Sequence, residues 1–157
     1  MVDAMHDFDF LFGRWIVHNE RLVARQVGST DWERFTATND CRPILGGVGN
    51  VDEFVTAWGG GFRGATIRLF DLERAQWSIY WASNRTGLLD PPMVGRFDGG
   101  VGSFFGHDHH QGTPVRVRFV WSEITAVHAL WQQAFSTDDG ATWETNWRMA
   151  MTRAPAA

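Results

Sequence analysis

A handful of polar side chains sit inside otherwise apolar runs, and these are the positions from which the chain could do chemistry. Glu53 lies between Val51 and Val55, Arg68 between Ile67 and Leu69, and Tyr80 between Ile79 and Trp81. Gln133 falls at strand spacing between Trp131 and Phe135, and Glu144 and Asn146 alternate with Trp143, Thr145 and Trp147. Arg116 and Arg118 alternate in the same way with Val115, Val117 and Phe119. In a sheet with one solvated face, such alternation places polar groups in water. Turned inward, the same groups have two uses. Burial raises a carboxyl pKa toward the range useful for proton transfer, while a neighbouring Arg lowers it. Glu53 or Glu144 beside Arg68, Tyr80 or Asn146 would therefore make an acid/base site. Alternatively, Trp131, Gln133, Trp147, Tyr80, Arg68 and Asn146 would form a mostly aromatic wall with a few polar anchors, as small-molecule pockets do.

Other candidates carry a plainer explanation. His107-Asp108-His109-His110 has metal-ligating side chains, but zinc needs three or four converging ligands with a second layer of support. The segment lies among Gly106, Gln111 and Gly112 and is expected to be a solvated loop, with no metal bound. Gly59-Gly60-Gly61-Phe62-Arg63-Gly64 fits the G-x-G-x-x-G pattern of dinucleotide sites. That pattern works only where a helix follows, and here the strand-like Ala65–Phe70 follows, so no cofactor is expected. Cys41 has no base beside it and is expected to be a buried structural thiol. No G-x-S-x-G, H-E-x-x-H or P-loop motif occurs.

The elements that must position these residues begin with His6 to His18. Phe8, Leu11 and Phe12 recur at helical spacing, Gly13 interrupts, and Trp15 and Val17 continue at strand spacing. A short apolar turn running into a strand suits a plug for the end of a barrel. Strands are then expected over Arg14–Arg25, with Trp15, Val17, Asn19 and Arg21 on one face, over Trp32–Arg42, ending near Pro43, and over Val48–Trp58. Ala65–Phe70 and Gln76–Trp81 form a hairpin, and Asn84–Pro92 is a loop. Met93–Phe97, Val101–Phe105, Pro114–Trp121, Ala126–Phe135 and Thr142–Met151 complete about ten strands. Sequential hairpins predict an all-β, closed up-and-down meander of about 8–10 antiparallel strands with a short N-terminal helical plug. Residues 1–157 are expected to form a single barrel domain.

Composition narrows the partners. Nine Trp and 12 Phe against one Tyr predict an aromatic-rich core. A net charge of -4 argues against a nucleic-acid or anionic-membrane surface. The single Cys excludes an internal disulfide and suits a reducing compartment. No leader pattern or membrane-length apolar run is visible, so a cytoplasmic location is expected.

Several stretches resemble known families. Ser136-Thr137-Asp138-Asp139-Gly140-Ala141-Thr142-Trp143 resembles the Asp-box of sialidase propellers, which implies a hairpin turn here. Gly13-Arg14-Trp15 resembles the first strand of the lipocalin and wider calycin group. That resemblance implies a Trp packed at the closed end under a basic residue of the last strand, Arg153 in preference to Arg148. Phe8–Trp15, Leu45–Glu53, Ile67–Asp71, Trp77–Trp81, Trp131–Ser136 and Trp143–Trp147 together resemble a bacterial family of unknown function with a lipocalin-like barrel. The resemblance implies the fold and no reaction. Nitrobindin-type haem barrels share the shape but use a proximal His near the C-terminus. The nearest here is His128, so haem is not expected.

The function expected from the sequence is a binding barrel for a small apolar or aromatic molecule, with a homodimer left open. Two alternatives stand beside it: an isomerase, cyclase or hydrolase using a barrel carboxylate, and a filled barrel acting as an interaction module. A cavity above roughly 300 Å³ keeps the first two and a filled interior leaves the third. One register decides which faces are wet. With regular alternation, Trp131, Gln133, Trp147 and Met149 line a dry barrel and Glu144 and Asn146 point outward. A one-residue bulge would bring Glu144 in. The dry arrangement is the one expected.

Overall fold

A computed structural model of the chain describes residues 2–155. Ten antiparallel strands form a closed barrel in which each strand pairs with its sequence neighbour and the first pairs with the last. In chain order they are β1 (Gly13–Leu22), β2 (Trp32–Ile44), β3 (Gly49–Val55), β4 (Arg63–Asp71), β5 (Gln76–Ser83), β6 (Met93–Asp98), β7 (Val101–His110), β8 (Thr113–Ser122), β9 (His128–Ser136) and β10 (Glu144–Arg153). This is the all-β meander that the spacing of turns predicts.

Two 3-10 turns, Val2–His6 and Asp9–Leu11, precede β1 and fill one end. Phe8, Leu11 and Trp15 are fully buried there. The Phe8 ring meets the edges of Trp77 and Phe97 at 5.0 and 4.9 Å between centroids and stacks near Phe104. Burial of rings at such angles stabilises by area and by quadrupole alignment together. The Trp15 indole donates to the Leu11 carbonyl at 2.9 Å. The Arg153 guanidinium lies 3.9 Å over the Trp15 ring and donates to the carbonyls of Phe10, Phe12 and Ala126. Arg153 thus ties the last strand to the plug, satisfying carbonyls that the short turns leave without partners.

Several boundaries differ from the sequence expectation. β1 ends at Leu22, so Arg25 belongs to the β1–β2 loop. Pro43 lies within β2 opposite Asn50 and does not end it. β1 pairs with β2 only as far as Gly13 opposite Cys41, so at Pro43 one side of β2 is an edge where a missing N–H costs nothing. β3 stops at Val55, and Trp58–Gly61 forms a single turn with Gly59, Gly60 and Gly61 all at positive φ. His107 to His110 is not a loop: β7 continues through it and turns at Gln111-Gly112 into β8, with His107 opposite Arg116 and His109 opposite Pro114. The Gly residues that suggested a loop mark only the turn.

Candidate ligand-binding site

The open end gathers the loops β1–β2, β3–β4, β5–β6, β7–β8 and β9–β10 around the mouth of a cavity of about 320 Å³. Its wall is aromatic: Phe54, Phe62, Trp81, Phe119, Trp131, Phe135 and Trp147 all face it. Trp147 meets Trp131 edge-on at 6.2 Å between centroids, and Trp131 meets Phe119 at 5.0 Å. Gly64 makes room for the wall on β4. A Cβ there would fall 1.9 Å from the Trp81 ring, so the absence of a side chain lets the indole lie flat against the strand.

The β9–β10 hairpin resolves the question of register with a bulge. Thr145 pairs with Ala134, but Trp147 pairs with Gln133, and Asn146 is the extra residue. Beyond the bulge, Trp147, Met149 and Met151 face inward opposite Gln133, Trp131 and Ala129. Before it, Glu144 shares the face of its partner Phe135. The two arrangements weighed from the sequence are combined only in part: the bulge brings Glu144 into phase with Phe135, but its carboxylate accepts the Gln26 amide at the rim and does not line the cavity. Asn146 is fully buried and does not itself line the cavity. It accepts a hydrogen bond from Gln133 Nε2 at 2.9 Å and so fixes an amide that does. The Asp-box turn anchors this hairpin. Asp138 accepts from Ser136 Oγ at 2.7 Å and from the Thr142 amide at 2.8 Å, and from the Thr142 hydroxyl as well. These bonds, led by the Thr142 hydroxyl, lower the Asp138 carboxyl from its ordinary 3.8 to about 2.

At the floor, Arg68 is buried and points inward, inverting the apolar-in expectation for its strand. Its Nη1 donates to Asp52 at 2.7 Å and to Asn50 at 2.9 Å. Its guanidinium lies 5.2 Å over Phe8 and 6.0 Å over Trp121, while Nε has no partner. Asp52, Asn39 and Thr66 share this polar floor and line the cavity. Asn19, also buried, accepts from the Trp147 indole at 3.0 Å. Cys41 is buried beside Asn50, and burial pushes its thiol up to about 12, which keeps it protonated and inert.

Besides Asn146, two further sequence candidates are corrected. Glu53 is on the outer face, exposed, with Arg63 3.9 Å away. Asp52 and Phe54 hold the inner face of β3, so strand alternation turns Glu53 out. Tyr80 is likewise outside, because Ile79 and Trp81 face the cavity on β5 and Tyr80 pairs with the outward Ile67. Sequence reasoning missed Asp52, Asn39 and Thr66 at the floor and Arg25, Asp90 and Asp108 at the mouth. Alternation with Phe54 was the available signal for Asp52. Burial, with the Asp108 charge adding to it, raises the Asp90 carboxyl above its usual range. Among the described residues no group of His, Cys, Asp and Glu is arranged to hold a metal ion. No described helix is long and apolar enough to cross a membrane.

No family model matches the chain, and no curated protein matches it by sequence. Among solved structures, the S-type phycobiliprotein lyase CPES from Guillardia theta superposes with a TM-score of 0.61 over 96% of this chain and 92% of the lyase chain, at 9% identity. The barrel is lipocalin-like. At that identity the likeness is one of fold.

Proposed function

We propose that the barrel binds a small, largely aromatic or apolar molecule in its interior. The observation that carries this is the cavity of about 320 Å³, closed at one end by the Phe8–Trp15 plug and walled by aromatic rings. Preformed, mostly apolar clefts with a few placed polar groups are what small ligands occupy. Trp131, Trp147 and Gln133 form the wall, with Asn146 orienting Gln133. Arg68 and Asp52 give the floor one polar anchor, which selects a ligand with a hydrogen-bonding group at its inner end. A space of this size disfavours the filled-barrel module.

The fold is shared with a protein named a phycobiliprotein lyase, which keeps an enzymatic task as the second reading. Glu144 is the remaining carboxylate of the enzyme alternative. Its Oε1 already accepts the Gln26 amide at 2.7 Å, which favours a structural task for it.

The test is quenching of tryptophan emission by a panel of uncharged polycyclic aromatics, with native mass spectrometry of protein purified from cells. Saturable binding weakened in Trp131→Phe and kept in Glu144→Gln is the expected result. Binding lost only in Glu144→Gln would move the acid/base alternative ahead.

A further inference from the structure

At the mouth, the β1–β2 loop carries Arg25 over the cavity. Its guanidinium sits 5.4 Å over the Phe135 ring and 5.8 Å over Trp147, two members of the wall. Arg25 Nε and Nη2 are buried and have no hydrogen-bond partner. Two buried donors with no acceptor are costly on a half-buried guanidinium, so the position calls for an acceptor.

The neighbouring carboxylates do not supply one. Glu33 pairs with Arg21 at 3.2 Å. Glu144 is close enough to act on the Arg25 charge, but its Oε1 is taken by the Gln26 amide and it makes no ion pair with Arg25. Gln26 also donates from its side chain to the Phe135 carbonyl at 3.5 Å, and its backbone is at a φ of 63°. Glu144 therefore fixes the loop that presents Arg25 while leaving the guanidinium free. Arg21 stands behind it over Trp58 and Trp147 and adds to the positive field. The acidic residues of the mouth, Asp90 and Asp108, come from the β5–β6 loop and β7, on the side of the barrel away from the β1–β10 seam. Arg25 and Arg21 thus stand on the β1 side of the mouth beside Glu144 and Glu33, with Asp90 and Asp108 across from them.

We propose that the ligand of this cavity is an aromatic or apolar acid whose ionised head group pairs with Arg25 at the mouth while its body lies against Phe135, Trp147 and Trp131. This rests on the proposed binding function and adds to it the charge and orientation of the ligand. The planar guanidinium suits a carboxylate in a two-point contact. Asp90 and Asp108 repel the same group from the opposite side of the mouth.

The test compares anthroate with its uncharged carboxamide, followed by quenching of tryptophan emission in wild type, Arg25→Gln and Arg25→Lys. The readout is the ratio of the two dissociation constants, in which a general change of packing cancels. Wild type is expected to favour anthroate by about tenfold or more, as a charge-assisted contact does. Arg25→Gln should bring the ratio to within about twofold of one, and Arg25→Lys should keep part of the preference. A wild-type ratio near one, or a preference unchanged in Arg25→Gln, overturns the acid assignment and leaves the binding barrel standing. Failure of both probes to bind overturns the two together.

Discussion

Removing the cation from the cavity floor should be more damaging than removing the whole ion pair. Asp52 and Arg68 are 3% and 6% exposed at their side chains and 2.7 Å apart. Arg68→Met keeps the apolar contact with Phe8 and Trp121 but leaves the buried Asp52 carboxylate without its counter-ion. Breaking a buried pair from one side costs about 3–5 kcal/mol. Against a total stability of about 5–15 kcal/mol that is a large share. At a denaturant dependence of about 2 kcal/mol per molar urea, the midpoint should fall by about 2 M. Asp52→Leu combined with Arg68→Met removes both charges and both desolvation penalties. The double variant should therefore unfold at a higher urea concentration than Arg68→Met alone. Urea titrations followed by far-UV circular dichroism on wild type, both single variants and the double variant give the coupling directly. A midpoint for Arg68→Met within about 0.5 M of wild type, or a double variant equal to the sum of the singles, would refute the account of the floor as a coupled buried pair.

Other perturbations read other parts of the barrel. Trp15→Ala should destabilise by about 3–5 kcal/mol, a buried large-to-small change at the plug, and an unchanged denaturant midpoint would show that Trp15 is not the barrel floor. The Asp138 carboxyl is lowered from 3.8 to about 2 in the fold, so it adds stability that is present above its unfolded pKa and lost as pH falls toward 2. The stability gap between wild type and Asp138→Asn should therefore be constant near neutrality and narrow in acid; a gap that widens in acid contradicts the bonding described for the turn. Gly64→Val should displace the Trp81 indole, visible as a shift in near-UV circular dichroism with the far-UV spectrum retained, and an unchanged near-UV spectrum would count against the close approach. Added zinc should leave Tm nearly unchanged. A saturable rise worth about 2.7 kcal/mol at a hundredfold excess over Kd, abolished by His107→Ala with His109→Ala, would establish a metal site on β7.

The barrel was legible because its signals are local: glycine-rich turns at near-regular spacing and a change of period at Gly13. The arrangement of Trp15 under Arg153 was accessible through the lipocalin resemblance of Gly13-Arg14-Trp15. The floor was harder. In Asn50-Val51-Asp52-Glu53-Phe54-Val55, polar residues fall on both faces, so alternation alone does not choose between Asp52 and Glu53. Phe54 chooses, because a fully apolar ring goes inside, and it takes Asp52 with it. On β5 the same logic favours Ile79 and Trp81 over Tyr80. Arg25 left no trace in any period, because loops have none. Trp147 facing the cavity while Glu144 shares the face of Phe135 requires a bulge at Asn146, which no turn or spacing announces.

All pairings but one in this meander join strands adjacent in sequence, and that one exception governs how the chain folds. β1 meets β10 with Trp15 opposite Arg153. The hairpins from β2 onward can zip locally as they emerge, with little loop entropy to overcome. The seam cannot form until the last strand exists. Until then β1 and β9 both present open edges beside an exposed aromatic interior, the combination most prone to pairing with another chain. Arg153, reaching from the end of β10 to the carbonyls of Phe10 and Phe12, is thus the latch of the last event in assembly. Substitutions there should slow seam closure and lower soluble yield beyond what the loss in equilibrium stability alone explains.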